Sequence, residues 1–425
     1  MFTRRELLKG VMLAGGFCLL PFGRRGWAMA APEPTDRHLV VIFMRGAVDG
    51  LSVVAPYREP YYYQARSNIA LPPPGDSGGL LDLDGFFGLN PSLAKLMPMW
   101  QSKTLAFIHA SGSPALTRSH FEAQDIMETA MLNSAMASQG WLNGLAQTLP
   151  DNNSPTRALA FGNVLPKIFQ GRYNVATVPA GIAPKGQKGL MKNGIAGGGA
   201  QDTQTQQAFS QLYAGQAGLG NLYKEGLAAQ AGVMQDLQGG TEMQMEMEAS
   251  AKGAPGADGF VKETTKAADM IRQDPTIQLM FMDVGGWDTH VQQGNAKGQL
   301  ANKLEKFGDG IAALVQGLGP AYRNTAILIV SEFGRTVAQN GNGGTDHGHG
   351  NVAWLMGGGV RGGVWSRWPG LNPNQLYEGR DLAITTDFRG VVGAVIGQHF
   401  GLSDDKLAAF IPDYRHDRGL DNLIG

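Results

Sequence analysis

The stretch "GGTDHGHGN", residues 343–351, sets one aspartate and two histidines between glycines. Carboxylate and imidazole are the oxygen and nitrogen donors that hold borderline divalent cations such as zinc or manganese. The same composition also makes an ordinary polar loop, so the chemistry depends on partners delivered from elsewhere in the chain. Other stretches offer them. "DVGGWDTH" carries Asp283, Asp288 and His290, "SEFGR" carries Glu332 and Arg335, and "RGAVDG" carries Arg45 and Asp49. Asp288 and His290 alternate in an extended segment, which turns both toward one side. With Asp346, His347 and His349 they could clasp an ion.

"SGSPALTRSH" adds Thr117, Arg118, Ser119 and His120. Ser119 and Glu122 have the S-x-x-E spacing of a capping box, which starts a helix. A hydroxyl at a helix N-terminus also sits in a positive field that favours an anionic substrate. Ser119 is therefore either a cap or a nucleophile, and Thr117 competes for the second role. Arg118 and Arg45 could grip anionic oxygens in a bidentate way. Trp287 and Phe333 are expected to pack the pocket wall, whereas His38, His109, His399 and His416 read as structural or exposed.

These residues need a scaffold that brings them to one edge. "HLVVIFMRG", "TLAFIHASG", "TIQLMFMDVGG" and "TAILIVSEFG" are apolar, β-branched runs closed by glycine, and "VAWLMGGGV" is a fifth. Each reads as a buried strand. Leu300, Leu304, Phe307, Ile311, Leu314 and Leu318 recur at helical spacing and form one apolar face. "DFRGVVGAVIGQHFG" reads as a helix ending at Gly401. Apolar strands separated by helices predict an α/β fold, a doubly wound and mostly parallel sheet with helices on both faces. Ligands bind such sheets beyond the carboxyl ends of the strands, where the polar residues fall.

The first thirty residues read as an address and not as part of the fold: paired Arg4 and Arg5 precede an apolar run that closes on Ala28-Met29-Ala30. That order reads as a twin-arginine export signal over residues 1–30, cleaved on delivery to the periplasm or beyond. The expected partner is the twin-arginine export machinery, and no stable membrane span would remain after cleavage. Cys18, the only cysteine, would leave with the signal, so thiolate ligands and a cysteine nucleophile are excluded. The remaining chain has 30 Lys and Arg against 35 Asp and Glu, with no basic block. Nucleic acid and anionic membrane are therefore unexpected partners. Residues 31–425 read as a single domain with an insertion at about 181–259, rich in Gly, Gln, Ala and Met. Its "MQMEME" stretch reads as an exposed helix, with thioether binding of a soft metal as the alternative.

Long stretches resemble the DUF1501 family of exported bacterial proteins with no assigned function. They are "VVIFMRGAVDGLSVVAPY", "SGSPALTRSHFEAQDIME", "GGWDTH", "SEFGRTVAQNGNGGTDHGHGNVAWLMGGGVRGG" and "TTDFRGVVGAVIGQHFGL". That family is distantly similar to the alkaline phosphatase and sulfatase superfamily, which sets one or two metal ions beside a nucleophile at a helix start. The resemblance implies Asp49, Asp283, Asp288, His290, Glu332 and His347 or His349 as metal ligands, to which the composition of the "TDHGHG" loop adds Asp346 beside both histidines. It implies Ser119 or Thr117 as nucleophile, with Arg118 and His120 beside it. Phe333 and Glu332 depart from the pattern, standing where that superfamily has histidine and aspartate. The implied activity is metal-dependent hydrolysis of a small phosphate or sulfate ester. The alternative is a non-catalytic exported binding protein on the same fold.

Overall fold

The computed structural model describes residues 36–151, 154–179 and 248–425. Residues 1–30, where an export signal is expected, lie outside the described residues with Cys18, as does most of the expected insertion, including all of "MQMEME" but Glu248.

Among the described residues nine strands make the main sheet. In chain order they are β1 (His38–Met44), β2 (Leu105–Gly112), β3 (Ala158–Phe161), β4 (Ala176–Val178) and β5 (Leu279–Val284). Then come β6 (Thr325–Ser331), β7 (Asn351–Gly357), β8 (Gly363–Trp365) and β9 (Thr386–Asp387). The order across the sheet is β8-β2-β7-β6-β1-β5-β3-β4, with β9 also paired to β2. β1 sits at the centre, parallel to β5 and β6.

Among the described strands of this sheet only β7 runs against the others, antiparallel to β2 and β6. The "VAWLMGGGV" strand thus exists but with its direction reversed. The reason lies in its connection. Residues 332–350 contain no helix that could carry the chain back across the sheet. The chain therefore re-enters the sheet from the edge at which it left β6. That edge is where the candidate ligands lie.

The two faces of β1 fill two separate cores. Val40, Ile42 and Met44 join Phe260, Ala267 and Ile271 of α3 (Phe260–Gln273) and the apolar face of α4 (Gln299–Leu318). Leu39, Val41 and Phe43 join side chains of α1 (His120–Thr129), α2 (Trp141–Thr148) and α5 (Phe388–Phe400). Helices therefore cover both faces of a mostly parallel sheet, the α/β architecture that the apolar runs predict. All six periodic residues of α4, from Leu300 to Leu318, are buried. Full burial stabilises by about 1.5–3 kcal/mol for each such side chain. α5 is capped at both ends, by the Asp387 side chain and by Gly401 in the left-handed conformation.

One local expectation is overturned at α1. Ser119 is its N-cap, yet the Ser119 side chain makes no capping hydrogen bond. Thr117 Oγ1 instead donates to Glu122 Oε2 at 2.7 Å and accepts from the Ser119 amide at 3.2 Å. Thr117 takes the carboxylate that the capping box reserves for the cap residue, and leaves the Ser119 hydroxyl exposed. Among the described residues no helix is long and apolar enough to cross a membrane.

Candidate metal centre

Three imidazoles and one carboxylate meet beyond the ends of β1, β5 and β6. His120 comes from the first turn of α1, Asp288 and His290 from the loop after β5, and His347 from the loop before β7. Donor atoms of His120, Asp288 and His347 lie within 4.8 Å of one another. His120 Nε2 is 2.9 Å from His347 Nε2, which is 3.0 Å from His290 Nε2. His290 Nε2 is also 2.9 Å from Asp288 Oδ1.

The glycines of "GGTDHGHGN" make this meeting possible by their size. A Cβ on Gly344 would stand 2.4 Å from the His290 carbonyl, and one on Gly348 would stand 2.4 Å from the Arg335 carbonyl carbon. The loop is thus pressed between the "DTH" segment and the "SEFGR" segment. Isolated bridges Val291–Gly343 and Arg335–His347 hold it there.

The outer partner of each ring fixes its tautomer. His120 Nδ1 donates to Glu332 Oε1 at 2.8 Å, and His347 Nδ1 donates to the Arg118 carbonyl at 3.0 Å. His290 Nδ1 faces Asp346 Oδ1 at 3.3 Å. With each Nδ1 carrying the hydrogen, every neutral ring turns an Nε2 lone pair inward. This is the arrangement in which a carboxylate or carbonyl orients a histidine for a metal. Two such lone pairs at 2.9 Å repel unless a proton or a cation satisfies them. Asp288 adds a further unsatisfied atom. Its Oδ2 is buried, 3.3 Å from His120 Nε2, and has no hydrogen bond of acceptable geometry. The donor set, the inward lone pairs and the orphaned oxygen fit a divalent cation held by His120, His347 and Asp288, with His290 adjacent.

Electrostatics around the cluster follow from burial and pairing. Burial would raise the Asp288 carboxyl, but the close approach of the His120, His290 and His347 imidazoles and the charge of Arg335 hold it far below the ordinary range. Glu332, buried as well, is pulled down to about 2, chiefly by the hydrogen bond from His120. Burial lowers the His120 imidazole, yet Asp288 and Glu332 outweigh it and raise its pKa to about 9. On His347 burial wins, and the pKa falls.

This has a measurable consequence. A cation must displace the His120 proton, so binding is expected to strengthen about tenfold per pH unit and level off near pH 9. Titrating Zn²⁺ into chelator-treated protein at several pH values, with proton release followed in parallel, checks it. Without a cation the raised pKa also stabilises the fold. That contribution is complete below about 6.5, the unperturbed value, and is lost as the pH climbs through about 9.

Other expected site residues are placed elsewhere. Asp49 is fully buried in a bidentate pair with Arg66, at 2.6 and 3.0 Å, and also accepts from Ser52 and Gln293. Asp283 pairs with Arg45 at 2.7 Å. In both cases a guanidinium supplies the positive charge, which removes Asp49 and Asp283 from the ligand set. Glu332 and Asp346 touch the cluster only through the outer nitrogens of His120 and His290. The His349 ring stacks on Tyr377, with centroids 4.4 Å apart, and is separate from the group. His120, expected beside the nucleophile, follows Ser119 directly and is also one of the three side chains whose donor atoms converge.

The arginines are corrected too. Arg45 is buried beneath the site and engaged by Asp283, Gln124 and Glu128. Arg335 is also buried, and its five N–H groups face Ala47 O, Gly46 O, Thr345 O, Asp288 and His290. Arg335 thus has no donor to spare for a substrate, and Arg45 is held by two carboxylates below the surface. Arg118 lies on the rim, tied to Glu378 at 2.6 Å and Asp381 at 3.0 Å. Phe333 does form a wall, its ring 5.0 Å from His120 and 5.1 Å from His347. Trp287 packs deeper, on Phe307. His38, His109 and His399 are buried against backbone carbonyls, and His416 is exposed.

Gln124, Glu128 and Arg66 escaped the sequence reading. The first two left a signal. His120, Gln124 and Glu128 recur every fourth residue, a polar stripe on a helix whose other faces supply core residues.

A family model described as "Protein of unknown function (DUF1501)" matches residues 97–411. No curated protein matches the sequence. Among solved structures, Ps i-CgsB in complex with k-i-k-neocarrahexaose is 10% identical, covering 87% of this chain and 73% of that one, at a TM-score of 0.37. A protein in the alkaline phosphatase superfamily from Vibrio parahaemolyticus is 9% identical over 78% and 62%, at 0.34. BT1596, a 2-O GAG sulfatase, is 8% identical over 76% and 65%, at 0.33. The chemistry below rests on the chain's own residues.

Proposed function

The chain belongs to the DUF1501 family, and for it we propose a metal-dependent hydrolase of phosphate or sulfate esters, acting outside the cytoplasm after export. One observation carries the reading: inward lone pairs of His120 and His347 and the orphaned Asp288 oxygen converge beside the start of α1, which also presents Ser119. A divalent cation held there would supply Lewis-acid polarisation of an ester oxygen.

The chain's own residues supply the rest. The Ser119 hydroxyl is exposed, free of capping duty and one peptide bond from a ligand histidine. The positive end of α1 favours an anionic ester beside it and stabilises charge developing on the serine oxygen. Attack by that oxygen on phosphorus or sulfur would form a covalent ester and expel the alcohol, and water would then release the anion. Thr117 is the second choice, because its hydroxyl is already committed to Glu122. Arg118, whose Nη2 is held by Glu378 and Asp381, lies on the rim and could turn another guanidinium nitrogen toward an anionic oxygen.

Elemental analysis of the purified protein, then a panel of aryl phosphate and aryl sulfate esters with and without chelator, tests the proposal. Ser119→Ala is expected to lower kcat by at least about 100-fold, and Thr117→Ala by much less. Turnover that survives both substitutions would rule out the covalent route.

Phe333 favours a second reading, a non-catalytic binding protein, because it fills with an apolar ring the space beside His120 and His347. That reading predicts bound metal with no turnover of either ester class.

A further inference from the structure

Beneath the histidine cluster a buried polar column runs from Asp283 to His120, and nothing in the proposed reaction uses it directly. Its centre is Gln124, fully buried on α1 one turn beyond His120. The Gln124 amide has every polar direction assigned. Its Oε1 accepts from Arg45 Nη1 at 3.0 Å. Its Nε2 donates to the Ser250 carbonyl at 2.7 Å and to Glu332 Oε1 at 2.9 Å. Arg45 is fixed in turn by Asp283 at 2.7 Å and by Glu128 at 2.9 Å. Glu332 Oε1 also receives the Gly46 amide and His120 Nδ1, both at 2.8 Å.

Resting on the metal reading above, we infer that Gln124, oriented by Arg45, is a positioning residue that sets the metal-binding nitrogen of His120 through Glu332. The physical case is one of alternatives removed. An amide can present either end, but the guanidinium can only donate and so pairs with the oxygen end, which leaves the NH₂ end facing Glu332. Glu332 Oε1 is then pinned from three sides at the point where it receives the His120 proton. That pins the tautomer and the tilt of the ring whose opposite nitrogen faces Asp288 and His347. Spacing on α1 makes the coupling rigid, since His120 and Gln124 lie four residues apart on one helix face. Outer partners of ligand histidines commonly matter 10–100-fold in metal affinity.

The test uses Co²⁺ as probe, titrated into the chelator-treated full chain and followed by its visible absorption bands. Gln124→Met keeps the side-chain length and removes all three hydrogen bonds. It is expected to weaken Co²⁺ binding about 10–100-fold and to change the band pattern in protein that still unfolds cooperatively, although the lost buried hydrogen bonds lower its thermal midpoint. Glu332→Gln should weaken binding to a similar degree. The double variant should lose little more than either alone, because both act through one contact. Arg45→Lys, which serves Asp283 and Glu128 but holds the amide less firmly, should give a smaller loss in the same direction. This second route applies if Gln124→Met does not fold.

Wild-type affinity and spectrum in Gln124→Met, or losses that simply add in the double variant, would overturn the inference. Asp288→Asn separates this failure from failure of the metal reading. If Asp288→Asn loses Co²⁺ and Gln124→Met does not, only the positioning role falls. If Asp288→Asn also binds normally, the metal reading falls and takes the positioning role with it.

Discussion

Asp288→Asn is expected to purify without bound divalent metal and to bind added Zn²⁺ more than about 100-fold more weakly than the parent chain. The expectation exceeds the 10–100-fold typical of an outer partner, because among the described residues Asp288 supplies the one carboxylate of the converging donors. The choice of asparagine matters. Asp288 also accepts from the buried Arg335 guanidinium, and alanine would leave that charge unpaired in the interior. Stranding one member of a buried pair costs about 3–5 kcal/mol, so metal loss in Asp288→Ala could follow from a damaged fold. Asparagine keeps an oxygen for Arg335 and removes the negative charge. Its stability cost should stay near the about 1–3 kcal/mol of a weakened buried hydrogen bond. Thermal denaturation of the metal-free proteins and elemental analysis of the purified ones separate the two effects. Stoichiometric metal in a folded Asp288→Asn would sink the site.

Much of what positions Asp288 is legible in the amino-acid order. β1, β5 and β6 are near-continuous apolar runs because both their faces are buried, and polar residues begin where each run stops. α4 is legible because its six large apolar side chains keep one register against the sheet. Other features carry no local signature. An apolar run does not encode its own direction, so the reversal of β7 follows only from the loop that returns to the same edge. Arg66 seals Asp49 from 17 residues away, within "YYYQARSN", a stretch that resembles any short surface helix. Guanidinium pairing is a tertiary choice, and position alone makes Asp49 look like a metal ligand at a strand end. Ser119 illustrates competition at short range, since Thr117 and Ser119 can both claim Glu122. The stripe of His120, Gln124 and Glu128 was open to reading. Polar residues at core-facing helical spacing are either errors of register or members of a buried network.

Asp49→Ala should destabilise the fold by about 3–5 kcal/mol while leaving metal affinity within about twofold of the parent chain. The pair it breaks is fully buried on both sides, and Arg66 has no route to water. The remaining Arg66 donors go to Ser52 and to the carbonyls of Thr336 and Val337, none of which carries a compensating charge. Removing the charge as well, in Asp49→Ala with Arg66→Met, should recover part of the loss. Recovery should be incomplete, since Ser52 and Gln293 each lose a hydrogen bond to Asp49 and the Thr336 and Val337 carbonyls lose theirs from Arg66. Metal binding should be insensitive to both variants, because a saturated Asp49 has no free lone pair directed at the histidine cluster. Urea denaturation gives the first quantity and Zn²⁺ titration of the folded protein the second. A folded Asp49→Ala that has lost its metal would return Asp49 to the ligand set and make Arg66 a stand-in for an ion.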